Sequence, residues 1–254
     1  MKKALLIIIC LPIAIGMSIV NCFSQVNLKD SMVIAPMFTF SYAFQMPAGD
    51  MKDRFGVSSN VGGDFMVKNK KNWIFGADFH YIFGSDIKEN SILDGMKTKL
   101  GEIIGQDGQY ADIAISERGY TTCAKIGKIF PLGKPNKNSG IIFTTGAGFM
   151  QHKIRMDVSN NTAPQLTKET KKGYDRLTNG FMLDHFLGYM FLSNKRLMNF
   201  YCGFEFTQAF TKCRRSYNWD TMQRDTKSRY DVLYGFRIGF IIPFYKRAGK
   251  TYYY

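Results

Sequence analysis

Trp73-Ile74-Phe75-Gly76-Ala77-Asp78-Phe79-His80-Tyr81-Ile82-Phe83-Gly84 decides the fold. Every second residue, from Trp73 through Phe75, Ala77, Phe79 and Tyr81 to Phe83, is apolar and mostly aromatic. Between them stand Ile74, Gly76, Asp78, His80, Ile82 and Gly84. A period of two is the signature of a strand, because successive side chains point to opposite faces. The greasy face here is unbroken, whereas the other face mixes glycine with charge. A soluble sandwich shows a greasy inner face and a polar outer one. The pattern predicts the reverse arrangement, with lipid outside and polar residues inside a closed barrel.

The same alternation recurs twice in the last quarter of the chain. Tyr230, Val232, Tyr234, Phe236, Ile238, Phe240, Ile242 and Phe244 share one face, opposite Asp231, Gly235, Arg237 and Gly239. Met198, Phe200, Cys202, Phe204, Phe206 and Phe210 alternate with Asn199, Tyr201, Gly203, Glu205, Thr207 and Ala209. Further strands are expected at 32–46, 57–68, 119–131, 139–156 and 176–192, giving eight with 73–84, 198–213 and 229–244. The expected fold is therefore all-β: an eight-stranded antiparallel transmembrane meander barrel. Short connections at 69–72, 132–138 and 193–196 alternate with longer ones at 47–56, 85–118, 157–175 and 214–228. Outer-membrane barrels place short turns in the periplasm and long loops outside, so both termini are expected to be periplasmic.

The start of the chain carries an address. Lys2 and Lys3 precede an apolar run from Ala4 to Val20, followed by Cys22-Phe23-Ser24-Gln25. This predicts a secretory signal peptide over 1–24, with the barrel at 25–244 and a tail at 245–254. An uncleaved anchor and lipidation at Cys22 are the rival readings; Ile19-Val20-Asn21 fits the second poorly. No later stretch approaches 18 consecutive apolar residues, so no spanning helix is expected. Removing Lys2 and Lys3 from the 34 Lys and Arg leaves 32 against 20 Asp and Glu, a formal charge of +12. Export argues against nucleic acid as the partner of that charge, and favours outer-membrane lipid or other envelope proteins.

Parity sends Asp64, Asp78, His80, Lys125, His152, Asp184, Glu205 and Arg237 into the lumen. Eight strands enclose just enough room for side chains to fill. Buried charges in so narrow a space must pair, so Lys125 and Arg237 are expected to satisfy Asp64, Asp78, Asp184 and Glu205. The competing reading is catalysis by Asp78, His80 and His152. It lacks a Gly-x-Ser-x-Gly elbow or a serine coupled to a histidine, so no catalytic residue is assigned. No cofactor or metal is expected, since a histidine beside a carboxylate needs further convergent ligands. Cys123, Cys202 and Cys213 remain after the leader, and their placement makes a disulfide doubtful. Cys123 and Cys213 are both expected to face inward near the same rim.

Two segments outside the strands invite partners. Within 85–118, Ile92, Leu93, Met96, Leu100, Ile103 and Ile104 recur at helical spacing, and Gly105 would end the helix. Such a stripe must either fold over the barrel mouth or dock against a partner or the bilayer. The basic tail ends in Tyr252, Tyr253 and Tyr254, suited to an interfacial anchor or to a handle for a periplasmic protein.

The Ser24-Gln25 leader end, the Gly-aromatic strands and the basic short turns resemble the PorT-like outer-membrane barrels of Bacteroidota. Lys172-Gly173-Tyr174-Asp175-Arg176-Leu177-Thr178-Asn179-Gly180 and Arg214-Arg215-Ser216-Tyr217-Asn218 resemble segments of barrels from the same phylum. The resemblance implies an eight-stranded barrel with an accessory role in an envelope machine such as type IX secretion. It carries no catalytic motif. The chain departs from the usual terminal aromatic ending, because Tyr245 to Tyr254 follow the last strand. A narrow channel or ligand-binding barrel, and an outer-membrane hydrolase, are the alternatives.

Overall fold

The computed structural model describes residues 32–160, 163–194 and 198–245; the expected leader and nearly all of the expected tail, including Tyr252, Tyr253 and Tyr254, lie outside them. Eight strands run in chain order: β1 (Ala35–Gly49), β2 (Ser58–Lys68), β3 (Trp73–Gly84), β4 (Asp112–Pro131), β5 (Gly140–Asn160), β6 (Thr178–Leu192), β7 (Asn199–Cys213) and β8 (Ser228–Pro243). Each pairs antiparallel with the next, and β8 returns to β1 through register partners such as Phe40 and Phe240. The ring is closed, so no strand presents an unpaired edge.

Parity is realised around the ring. In β1, Phe38, Phe40, Tyr42 and Phe44 are exposed, whereas Met37, Thr39, Ser41, Ala43 and Gln45 are buried. Phe75, Phe79, Phe181, Phe204, Phe236 and Phe240 continue the outer band on other strands. Each such ring left in water forgoes about 1.5–3 kcal/mol of burial, and a hydrocarbon layer supplies that burial.

Two corrections concern the long-loop end. β4 and β5 extend well beyond the expected starts and ends, and shorten the second and third long connections. Above the greasy band the alternation inverts: Ile113 and Ile115 turn toward the interior cluster, while Asp112 and Ala114 face out. A search for an outward apolar face therefore stops at 119. The stripe in 85–118 does not form one helix. Asn90–Met96 is a 3₁₀ helix, and Gly101 and Gly108 take positive φ values of 88° and 80° that break any continuation. The α-helix lies instead in the next long loop, α1 (Lys168–Tyr174), where the Thr167 hydroxyl accepts from the Thr170 N–H as its N-cap.

Candidate functional site

The lumen is filled in three layers. Toward the short turns lies an apolar layer that includes Met37, Met66, Ile74, Ile142, Met190 and Ile241. Toward the long loops lies another, with Met51, Phe55, Ile82, Leu93, Met150 and Leu233. Between them the sequence-expected charges meet in one buried belt.

Arg237 anchors it. Its Nε and Nη2 donate to the two Glu205 oxygens, both at 2.8 Å, a bidentate fork. Its Nη1 donates to Ser41 at 2.7 Å, and Nη2 also to Asn60 at 3.0 Å. The Lys125 ammonium lies 2.7 Å from Asp78 and 2.9 Å from Asp184. Asp64 accepts from Tyr201 at 2.9 Å and from Thr39, and stands 3.4 Å from His80. The other nitrogen of His80 is 3.6 Å from Asp78. All seven expected belt residues, Asp64, Asp78, His80, Lys125, Asp184, Glu205 and Arg237, are thus brought together.

Small neighbours make room for these long side chains. Lys125 is flanked in register by Gly76 and Gly146, and Arg237 by Ala43 and Gly203. A Cβ on Gly239 would stand 2.3 Å from the Tyr201 ring, so only glycine there lets Tyr201 reach Asp64. The cavities left within the belt measure about 10 and about 20 Å³. That is room for a single water at most, and not a path.

Two triads in the belt converge to within 4.8 Å, Asp64–Asp78–His80 and Asp78–Cys123–Asp184. In the second, the Lys125 ammonium already bridges Asp78 and Asp184. Cys123 sits in this belt, where its thiol donates to Asp78, and not near the rim with Cys213; both are free, as is Cys202.

The long-loop mouth is sealed by a second set of contacts, most of which sequence reasoning missed. Phe55, fully buried, lies edge-on to His152 with ring centres 5.3 Å apart. His152 in turn holds Asp231 at 3.0 Å, and Thr211 donates to the same carboxylate. This His–Asp pair is oriented like a catalytic dyad but is sealed under Phe55, and its Nδ1 meets no hydrogen-bond partner among the described residues. Arg54, beside Phe55, contacts Glu89 at 3.1 Å, Asp225 at 3.3 Å and Thr178 at 3.1 Å. Arg176 joins Glu89 to Asp220, and Arg229 binds Asp225 at 2.6 Å. All four long loops are tied by this network.

The carboxylates of the network respond to their partners. Burial pushes the Asp225 carboxyl up, but the hydrogen bond and charge of Arg229, with help from the Lys227 N–H and Arg54, hold it below its ordinary value. The Lys227 hydrogen bond, reinforced by the Tyr230 N–H, does the same for Asp50. Burial, followed by the charge of Arg229, lowers the pKa of Arg54.

The candidate docking residues divide. Ile92 and Leu93 are 1% and 3% exposed, and Met96 packs against the same cluster, so these side chains close the barrel's own mouth. Leu100 is 79% exposed and stays outside it. Lys68 was also missed: wholly buried at the short-turn end, it donates to Asn138 at 2.8 Å and to the Val33 carbonyl at 3.1 Å. Parity with Asp64 and Met66 marks it as inward.

No family model matches the chain, and no curated protein does. Among solved structures, the chain is similar to Ail, the attachment invasion locus protein of Yersinia pestis, in complex with the heparin analogue sucrose octasulfate. The TM-score is 0.40 at 10% identity, over 83% of this chain and 100% of that one. OprG, an outer membrane protein from Pseudomonas aeruginosa, aligns with a TM-score of 0.37 at 12% identity, over 85% and 99% of the two chains.

Proposed function

We propose that the protein is a non-conducting, non-enzymatic outer-membrane barrel that serves as a structural or accessory subunit of an envelope assembly. The observation that carries this is the filled lumen: a paired charge belt between two apolar layers, with voids of about 10 and about 20 Å³. A channel needs a continuous wet path, and a binding barrel needs a chamber. The aromatic outer band supports the membrane placement, and the long loops supply the surface that other proteins meet. In this orientation the long loops face outward and the termini the periplasm. A secretion machine is the kind of assembly implied by the resemblance to PorT-like barrels.

Mild-detergent extraction after crosslinking in intact cells, followed by native gel electrophoresis, tests the role. A defined larger species containing this chain is expected. A lone monomer under every extraction condition and after crosslinking would remove the subunit role.

A further inference from the structure

A groove of about 630 Å³ runs along the outside of β3, β4 and β5 at the long-loop edge of the aromatic band. Tyr81, Tyr120 and Gln151 line its lower part, and Tyr120 stacks on Phe79 at 5.9 Å and lies tilted against Phe149 at 6.2 Å. Arg118, Lys153 and Arg155 come from the outward faces of β4 and β5, and Lys168 and Lys171 come from α1. One carboxylate, Asp157, lines the groove, and it is engaged by Arg155 at 2.9 Å. Lys153, Lys168 and Lys171 make no ion pair among the described residues.

Arg118 and Lys153 are register partners across β4 and β5. Like charges directly opposite one another destabilise a strand pair, so this arrangement calls for an anion between them. The groove meets lipid chains below and water above, which is where headgroup phosphates lie.

We infer that this groove binds the phosphate groups of an anionic lipid, whose chains pack on Phe79, Tyr120 and Phe149. The inference rests on the membrane placement proposed above but not on the closed lumen. A barrel that conducts ions yet retains phosphorylated lipid would overturn the closed lumen alone.

The test uses full-length protein in phosphatidylcholine nanodiscs that contain lipid A or the same glycolipid without its phosphates. Native mass spectrometry counts the lipid retained. Preferential retention of lipid A is expected, and the combined variant R118Q/K153Q/K168Q/K171Q should reduce it at least about tenfold, since each cation near an anionic headgroup is worth roughly fivefold. R118K/K153R should keep it, as should K70Q/K71Q at the short-turn end. Should the fourfold variant lose its SDS-resistant folded form, K168Q/K171Q on α1 alone decides the matter. Equal retention of the phosphate-free glycolipid, undiminished retention by the charge-removed variant, or equal loss in K70Q/K71Q would overturn the site. Displacement of lipid A by an equal concentration of inorganic phosphate would overturn its assignment to a lipid.

Discussion

Two groups of ion pairs close this barrel, and they differ in what holds them. In the mid-lumen belt, Lys125, Arg237 and their carboxylates project from strands whose spacing is set by the backbone ladder. In the mouth, Arg54, Glu89, Arg176, Asp220 and Asp225 project from loops, and the pairs themselves hold the loops together. The belt is an internal packing element of the whole fold. The mouth network is a fastening between parts that could separate while the barrel stays intact.

The largest separation of the two should come from Arg237. Replacing it with Ala strands Glu205 in the lumen, and unfolding in urea should show a global loss of about 3–5 kcal/mol. The double variant Arg237→Met with Glu205→Met removes both charges, and should recover most of that loss. A double variant no more stable than Arg237→Ala would make the pair itself, and not the stranded charge, the source of stability.

Arg54→Ala comes next, at about 2 kcal/mol, because it removes charged contacts to two other loops and a strand end. The loss should be local. Trypsin should cut the long loops faster, while the global unfolding transition moves little. A matching fall in global stability would show that mouth and barrel unfold as one unit.

A smaller effect follows from pH. The folded carboxyls of Asp225 and Asp50 sit below the ordinary value of 3.8, so each stabilises the mouth fully above about pH 4. That contribution is lost as pH falls through the lowered folded values. Loop cleavage by an acid-active protease should therefore rise below pH 4, and Asp225→Asn should flatten the rise. The exposed Lys172–Glu169 pair on α1 should show the smallest effect: Lys172→Ala changes stability by less than about 0.5 kcal/mol.

The belt was legible and the mouth was not, for the same physical reason. Strand parity assigns a face to every residue from one clear segment, so Asp78 and His80 follow from Phe75, Phe79 and Tyr81. It would have reached Lys68 too, and also Glu117, which is buried toward the long-loop end of β4, had that strand been carried past Gly119. Loop residues have no such period. Ile92 and Leu93 reach the mouth from the short 3₁₀ helix, and Ile103 reaches it from the stretch between Gly101 and Gly108, so they mimic a helical stripe without sharing one helix. Arg54 and Phe55 sit beside a three-residue 3₁₀ turn with no repeating neighbour, and nothing local distinguishes them from solvated loop residues. Their partners, Glu89 and Asp225, are distant in sequence and adjacent only in the folded mouth.

Single-channel recording of the purified full-length protein in planar bilayers tests the closed lumen most directly. A quiet membrane is expected for the native chain and for Arg54→Ala, since the belt and the short-turn apolar layer remain beneath an opened mouth. Steady, reproducible conductance steps from the native protein would contradict the account.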